Sequence, residues 1–223
     1  MASIKDVLQI RDAKEVPDHL KLLATKASST ALAMLSAQPR SNKSVALGNL
    51  CNYVAGELTS MSLSFPSNTS AMAWGCRNLF ESNLILRAII ADDTYLQLWL
   101  GQMLRDEKDF LEGVIASTAD STNTSSISLL NDRLRKIEDI SARHGVEPAK
   151  PFNVAELAKK LGMSDEYTVM FKLCSKYVHP SSVFINAWQK SPPPVEWGNI
   201  FLAMGQIYAG DSVERVEREL VKS

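Results

Sequence analysis

The stretch Thr69-Ser70-Ala71-Met72-Ala73-Trp74-Gly75-Cys76-Arg77-Asn78-Leu79-Phe80-Glu81-Ser82-Asn83-Leu84-Ile85-Leu86-Arg87-Ala88-Ile89-Ile90-Ala91 decides the fold. It contains no proline, and its apolar and polar residues do not alternate as a half-buried strand requires. Met72, Trp74, Cys76, Leu79, Phe80, Leu84, Ile85, Leu86, Ile89 and Ile90 go nearly all the way round a helix. A helix that is apolar on most faces is a buried one. Residues 69–91 are therefore expected to form the central helix of an all-α protein. Asp92-Asp93-Thr94 supplies the start signal for the next helix.

Helical spacing continues on both sides of this stretch. Upstream it predicts helices over about 17–37 and 44–63, separated by Gln38-Pro39-Arg40-Ser41-Asn42 and closed by Phe65-Pro66-Ser67-Asn68. Downstream it predicts helices over about 93–117 and 127–144, with a loop of small polar residues at 117–126 between them. The 127–144 segment carries Arg133, Arg135, Lys136, Glu138, Asp139 and Arg143 around a narrow stripe of Ile127, Leu130, Leu134, Ile137 and Ile140. One face of it should dock and the other should meet water. Further helices are expected at about 153–161, 165–178, 181–190 and 195–220. Pro192-Pro193-Pro194 should stiffen the last connection. The expectation is a multi-helix bundle of about eight helices with no significant β-sheet. It forms a single helical domain over 1–223: an N-terminal helical layer over 1–66, a core over 67–190 and a C-terminal helix over 191–223. Trp74, Trp99, Trp188 and Trp197 are read as core and helix-packing residues.

Composition removes several functional classes. The 223 residues are 45% hydrophobic and 22% charged, ordinary values for a globular chain. The 24 basic and 25 acidic residues give a net charge of −1, so no bulk basic field draws in nucleic acid or an anionic membrane. The apolar runs at 84–91 and 95–104 are interrupted by Arg87, Asp92 and Asp93, short of the roughly 18 apolar residues that span a bilayer. No membrane association is expected, and the expected location is the cytoplasm. The three cysteines, Cys51, Cys76 and Cys174, are widely spaced among apolar neighbours and contain no C-x-x-C pair. They read as buried reduced thiols rather than a zinc ribbon. His19, His144 and His179 are far apart and form no H-E-x-x-H motif, and no phosphate-binding glycine loop or G-x-S-x-G elbow occurs. Neither a metal nor a cofactor is expected.

The segment from Val154 to Ser164 has the look of the first helix and turn of a DNA-binding helix-turn-helix. The next helix, however, opens Asp165-Glu166-Tyr167 and continues through Val169, Met170, Phe171, Leu173 and Cys174. Carboxylates would face phosphates, and the rest is core-like. Sequence-specific DNA reading is not expected.

One polar constellation stands out. Ser175 and His179 are four apart and share a helix face, and Pro180 places His179 at the helix C-terminus. A histidine at that end, in a cleft, is equipped to act as a general acid or to bind an anionic group. The plainer reading has it capping the helix carbonyls. On the 69–91 helix, Arg77 and Glu81 are also four apart, among apolar groups, with Asn78, Asn83 and Arg87 nearby. A charge on a buried helix needs a partner, because an unpaired buried charge costs several kcal/mol. Glu81 has Arg77, His179, Tyr177 and Tyr167 as candidate partners, and a Glu81–His179 contact would orient the imidazole. The alternative is a surface pair contributing about 0.3–0.5 kcal/mol.

The run Tyr167-x-x-x-Phe171-x-x-x-Ser175-x-x-x-His179-Pro180-Ser181 resembles the signature of the DUF5677 family of helical bacterial proteins. The Arg77-x-x-x-Glu81 helix is similar to that family's other common segment. The resemblance extends over roughly 45–190, with its core at 67–190. It implies a helical fold and a site centred on His179, Arg77, Glu81 and Ser175, without implying an activity. The arrangement is also remotely similar to HEPN domains, helical bundles that often dimerise and that include metal-independent ribonucleases of toxin and phage-defence systems. Their pattern places an arginine four to six residues before a histidine. Here those offsets hold Cys174, Leu173 and Lys172, and lysine lacks the planar two-pronged grip of arginine. Arg77 is the candidate replacement from a neighbouring helix.

Three functional readings follow. The first is a polar cleft that binds a small anionic or nucleotide-like ligand or a protein partner. The second is a ribonuclease with His179 as general acid or base and Arg77 stabilising phosphorane charge. The third is a purely structural interaction protein. The expected partners are a second copy of the chain, as a homodimer, and RNA or a small anionic ligand.

Overall fold

A computed structural model describes residues 12–118, 124–179, 185 and 195–222. After a 3-10 turn at Ala13–Glu15 come α1 (Val16–Ser36), α2 (Asn42–Ser64), α3 (Thr69–Ala91), α4 (Asp93–Ser117), α5 (Thr124–His144), α6 (Val154–Lys160), α7 (164–178) and α8 (Val195–Lys222). No strand occurs among the described residues. The protein is all-α. Apart from residue 185, the helix expected at 181–190, with Trp188, and the triple-proline connection lie outside the described residues.

Local chemistry sets the helix ends. Ser41 and Ser44 form a reciprocal capping box at the start of α2, so two otherwise orphaned amides are satisfied. The Asn68 side chain accepts from the Ala71 amide at the start of α3. The Asp92 side chain accepts from the Thr94 amide and opens α4. The chain leaves α5 at Gly145 and α6 near Gly162 with φ of 62° and 72°, a left-handed conformation that glycine adopts without a Cβ clash.

The chain divides into two compact units, one formed by residues up to Ala91 and from Val154 onward, the other by Asp92–Asn153. In the first unit α3 packs against α2, α8 and α7, and α1 packs against α2 and α8. Leu79, Leu84, Leu86, Ala88 and Ile89 of α3 are completely buried. The side chain of Met61 on α2 lies where a Cβ on Gly75 or Gly205 would fall, which brings α2, α3 and α8 close together. Trp74 departs from the expected core role. It is 54% exposed, because it lies on the part of α3 that α2, α7 and α8 leave uncovered.

The second unit pairs α4 with α5. Its core is Leu104, Leu111, Ile137 and Val146, with Leu100, Leu130, Leu134 and Ile140 against it. Trp99 lies parallel to Phe152, with the two ring centroids 6.3 Å apart. The charged face of α5 faces solvent as the narrow stripe predicts, and Arg133 pairs with Glu107 of α4.

α7 differs from a plain α-helix. It begins as an α turn at Ser164–Glu166, widens to a π-helical segment at Tyr167–Phe171, and returns to α at Lys172–Val178. Such segments are rare and cluster at functional sites.

Candidate functional site

α3 and the C-terminal end of α7 bring three of the four sequence candidates together. Arg77 Nε donates to Glu81 Oε1 at 3.0 Å, one helical turn along α3. Their side chains are 23% and 29% exposed, so this is neither an open surface pair nor a fully desolvated one. Arg77 Nη1 lies 3.0 Å from His179 Nε2. The guanidinium carbon is 4.5 Å from the centroid of the Phe171 ring, a cation–π contact. Tyr167 stacks on Phe171 at 4.8 Å and 22°. One guanidinium thus meets a carboxylate, an imidazole and an aromatic face at once.

A guanidinium has only donors, so Nε2 of His179 is the acceptor in this contact. The neutral ring then carries its proton on Nδ1. Of the candidate partners for Glu81, Arg77 is the one it meets, and the same guanidinium reaches His179 on α7. His179 is exposed at the helix end, and its backbone amide donates to Ser175 O at 3.0 Å.

Ser175 is placed beside the site without joining its hydrogen bonds. Its hydroxyl donates to the Phe171 carbonyl at 2.9 Å, which secures the junction between the π and α segments of α7. The Tyr177 ring packs edge-on against Phe201 at 5.1 Å.

Sequence reasoning missed two residues on α2. Asn78 Nδ2 donates to Glu57 Oε1 at 3.1 Å. Burial, the hydrogen bond to Glu57 and the charges of Glu57 and Glu81 all push the Tyr53 phenol up from its ordinary value. Tyr53 and Glu57 are four apart on α2, a spacing that marks one face, but nothing in the spacing says which helix that face meets. Two carboxylates, Glu57 and Glu81, therefore act on the Tyr53 phenol at the junction of α2 and α3.

Asn83 and Arg87 do not join this site. They face α8. Asn83 Nδ2 lies within hydrogen-bonding distance of Tyr208 O, Asp211 Oδ2 and Ser212 Oγ at 3.2, 2.7 and 3.0 Å. Arg87 Nε and Arg215 Nε donate to the same Asp211 oxygen at 3.1 and 2.7 Å. Burial tends to raise the Asp211 carboxyl. The hydrogen bonds from Arg215 and Asn83 and the charges of both arginines outweigh it, and its pKa is lowered.

Among the described residues no group of three or more His, Cys, Asp or Glu side chains stands close enough to hold a metal ion. No described helix is long and apolar enough to cross a membrane. A family model described as a family of unknown function (DUF5677) matches residues 67–190, a span that includes both the Arg77–Glu81 turn and the Ser175–His179 turn. No curated protein and no solved structure matches the chain.

Proposed function

The chain belongs to the DUF5677 family, and from that premise we propose that its α3–α7 site binds a small anionic, nucleotide-like ligand. The observation that carries this reading is the 3.0 Å contact between Arg77 Nη1 and His179 Nε2. It leaves Nδ1–H of the imidazole as a donor on the ring edge away from Arg77, while Arg77 keeps further N–H groups of its own. Glu81 holds Nε and Phe171 supports the guanidinium plane, so the fork is oriented before any ligand arrives. A phosphate oxygen accepts from the remaining N–H groups of the guanidinium, and the Tyr167–Phe171 stack offers a π-surface alongside.

The charges favour a small ligand over a long polyanion. Glu81 already pairs with Arg77, and the chain as a whole carries −1. RNA binding draws on many phosphate contacts in a positive field. A metal-independent ribonuclease remains the second reading. Its support is that Arg77 reaches His179 from α3, where the HEPN-like pattern lacks its own arginine. Against it, that same contact occupies the Nε2 lone pair a general base would use.

The test is thermal stability and calorimetric binding with inorganic phosphate and with adenosine and guanosine phosphates, on the wild type, Arg77→Ala and His179→Ala. Ligand-dependent stabilisation that is lost in both folded variants is the expected result. If no ligand binds and Arg77→Ala alone destabilises the fold, the site only fixes the register of α7 on α3. RNA cleavage that disappears in a stable His179→Ala variant would move the assignment to the ribonuclease.

A further inference from the structure

Neighbours cover α3 on three sides. Met61 of α2 lies where a Cβ on Gly75 would fall, and Asn78 Nδ2 donates to Glu57 of α2 at 3.1 Å. Asn83 and Arg87 meet α8. Arg77 meets His179 and the Phe171 ring on the α7 side, and Phe80 also meets Phe171, with ring centroids 6.4 Å apart. One strip of the helix is left open between the α2 and α7 sides. It runs through Ser70, Trp74, Asn78, Glu81 and Ile85, whose spacings of three and four keep them on one face. None of the five is buried. From Thr69 to Ile90, Trp74 is the one exposed side chain, at 54%.

A single exposed apolar residue is ordinary, but Trp74 is set apart by its register. Arg77 lies three positions further along the same helix, which puts the two Cβ atoms about 5–6 Å apart. The Phe171 ring already engages Tyr167 and the Arg77 guanidinium, whereas more than half of the Trp74 side chain meets solvent. The guanidinium itself is paired with Glu81, so its attraction for a phosphate is partly offset. Phosphate contact alone is therefore weak at this site, and affinity has to come from a second part of the ligand.

We propose that the ligand of the α3–α7 site is a purine nucleotide, whose base stacks on the Trp74 indole while its phosphate accepts from Arg77. This rests on the anion-binding reading given above and supplies the half of the ligand which that reading leaves open. Base and phosphate then lie on successive turns of α3, with the sugar spanning them. Helical Cα–Cβ bonds tilt toward the N-terminus, so the indole starts from the turn before Arg77 and leaves room for that span. A base offers a π-face to an aromatic side chain whatever its sequence context, and a bicyclic purine overlaps the bicyclic indole more fully than a pyrimidine does. The short open strip, with Glu81 on it and Glu57 at its α2 side, suits one nucleotide rather than a long polyanion.

The experiment is calorimetric titration of the full chain with guanosine and adenosine monophosphate, ribose phosphate and inorganic phosphate. The proteins are wild type, Trp74→Ala, Trp74→Phe and Arg77→Ala. The two purine nucleotides are expected to bind wild type more tightly than ribose phosphate does. Trp74→Ala should lower their affinity by about 5- to 150-fold, to the level of ribose phosphate, and leave ribose phosphate itself unchanged. Trp74→Phe should recover part of the loss, and bound purine should quench less tryptophan fluorescence in it than in wild type. The indole is exposed, so far-UV circular dichroism and Tm should not move; Trp74→Gln, also without a ring, replaces Trp74→Ala if that variant folds poorly. The proposal is overturned if ribose phosphate binds as tightly as the nucleotides, or if Trp74→Ala binds them as wild type does. Phosphate binding that is still lost in Arg77→Ala would then leave the anion-site reading standing. If none of the four ligands binds wild type, both fall.

Discussion

Replacing Asp211 by alanine tests the polar node that joins α3 to α8. Four N–H contacts converge on Oδ2 of this carboxylate: Asn83 Nδ2 at 2.7 Å, Arg215 Nε at 2.7 Å, Arg87 Nε at 3.1 Å and Arg87 Nη2 at 2.9 Å. A hydrogen bond to a charged group is worth about 1.5–3 kcal/mol, but four donors sharing one oxygen do not add. The side chains of Arg87, Asp211 and Arg215 are 24%, 29% and 30% exposed, so water reaches both stranded guanidiniums. Asn83 keeps Tyr208 O and Ser212 Oγ within reach. The full penalty for breaking a buried pair therefore does not apply, and about 2–3 kcal/mol is expected near neutral pH. For a chain of this length that corresponds to a Tm loss of roughly 4–12 °C. The pH dependence follows from the lowered pKa of Asp211. A depressed carboxylate stabilises the fold above its unfolded value of about 3.9 and loses that contribution as pH falls through the folded value. Urea unfolding followed by far-UV circular dichroism should show a constant gap between wild type and Asp211→Ala above about pH 5, narrowing in acid. A gap below about 0.5 kcal/mol at neutral pH would refute the reasoning, since that is the range of an inert surface substitution. So would a gap that persists unchanged to the acid limit.

Other substitutions probe the packing that positions the site. Leu84→Ala removes a side chain with no exposure from α3 and should cost about 3–4 kcal/mol, read from urea midpoints. Gly101→Ala in α4 would place a methyl against the Glu147 carbonyl and within 3.0 Å of Ala149 Cβ. An overpacking cost of about 1–3 kcal/mol is expected, with faster amide exchange across α4 and α5 as the check. Ser41→Ala breaks the capping box of α2 and should cost about 1 kcal/mol, measured by thermal unfolding.

Much of the helix map is legible in the chain because its causes are local. The apolar run on α3, the Asp92 cap before α4 and the break at Phe65-Pro66 act within a turn or two of themselves. The expected 69–91 helix coincides with Thr69–Ala91 for that reason. Local cause also explains why the Arg77–Glu81 pair could be read from its spacing of four. The π-helical widening at Tyr167–Phe171 is different. The spacing of Tyr167, Phe171, Ser175 and His179 fits a regular helix, and the sequence pattern gave no sign of the wider turn.

Partners across helices are set by how the helices cross. Asn83 and Asp211 are 128 positions apart, and no periodicity couples them. Arg77 and His179 are 102 apart, and the same holds for their contact. Trp74 is an apolar residue on the most buried helix, yet the packing of α2, α7 and α8 leaves it in solvent. The sequence by itself determined that residues 69–91 form the apolar central helix, and its spacing singled out Arg77, Glu81, Ser175 and His179 as candidates. Only the tertiary structure decided that Arg77, rather than Glu81, holds His179 and that Ser175 turns to its own helix. Side-chain reach and helix crossing are properties of assembled faces, and a single helix's periodicity does not encode them.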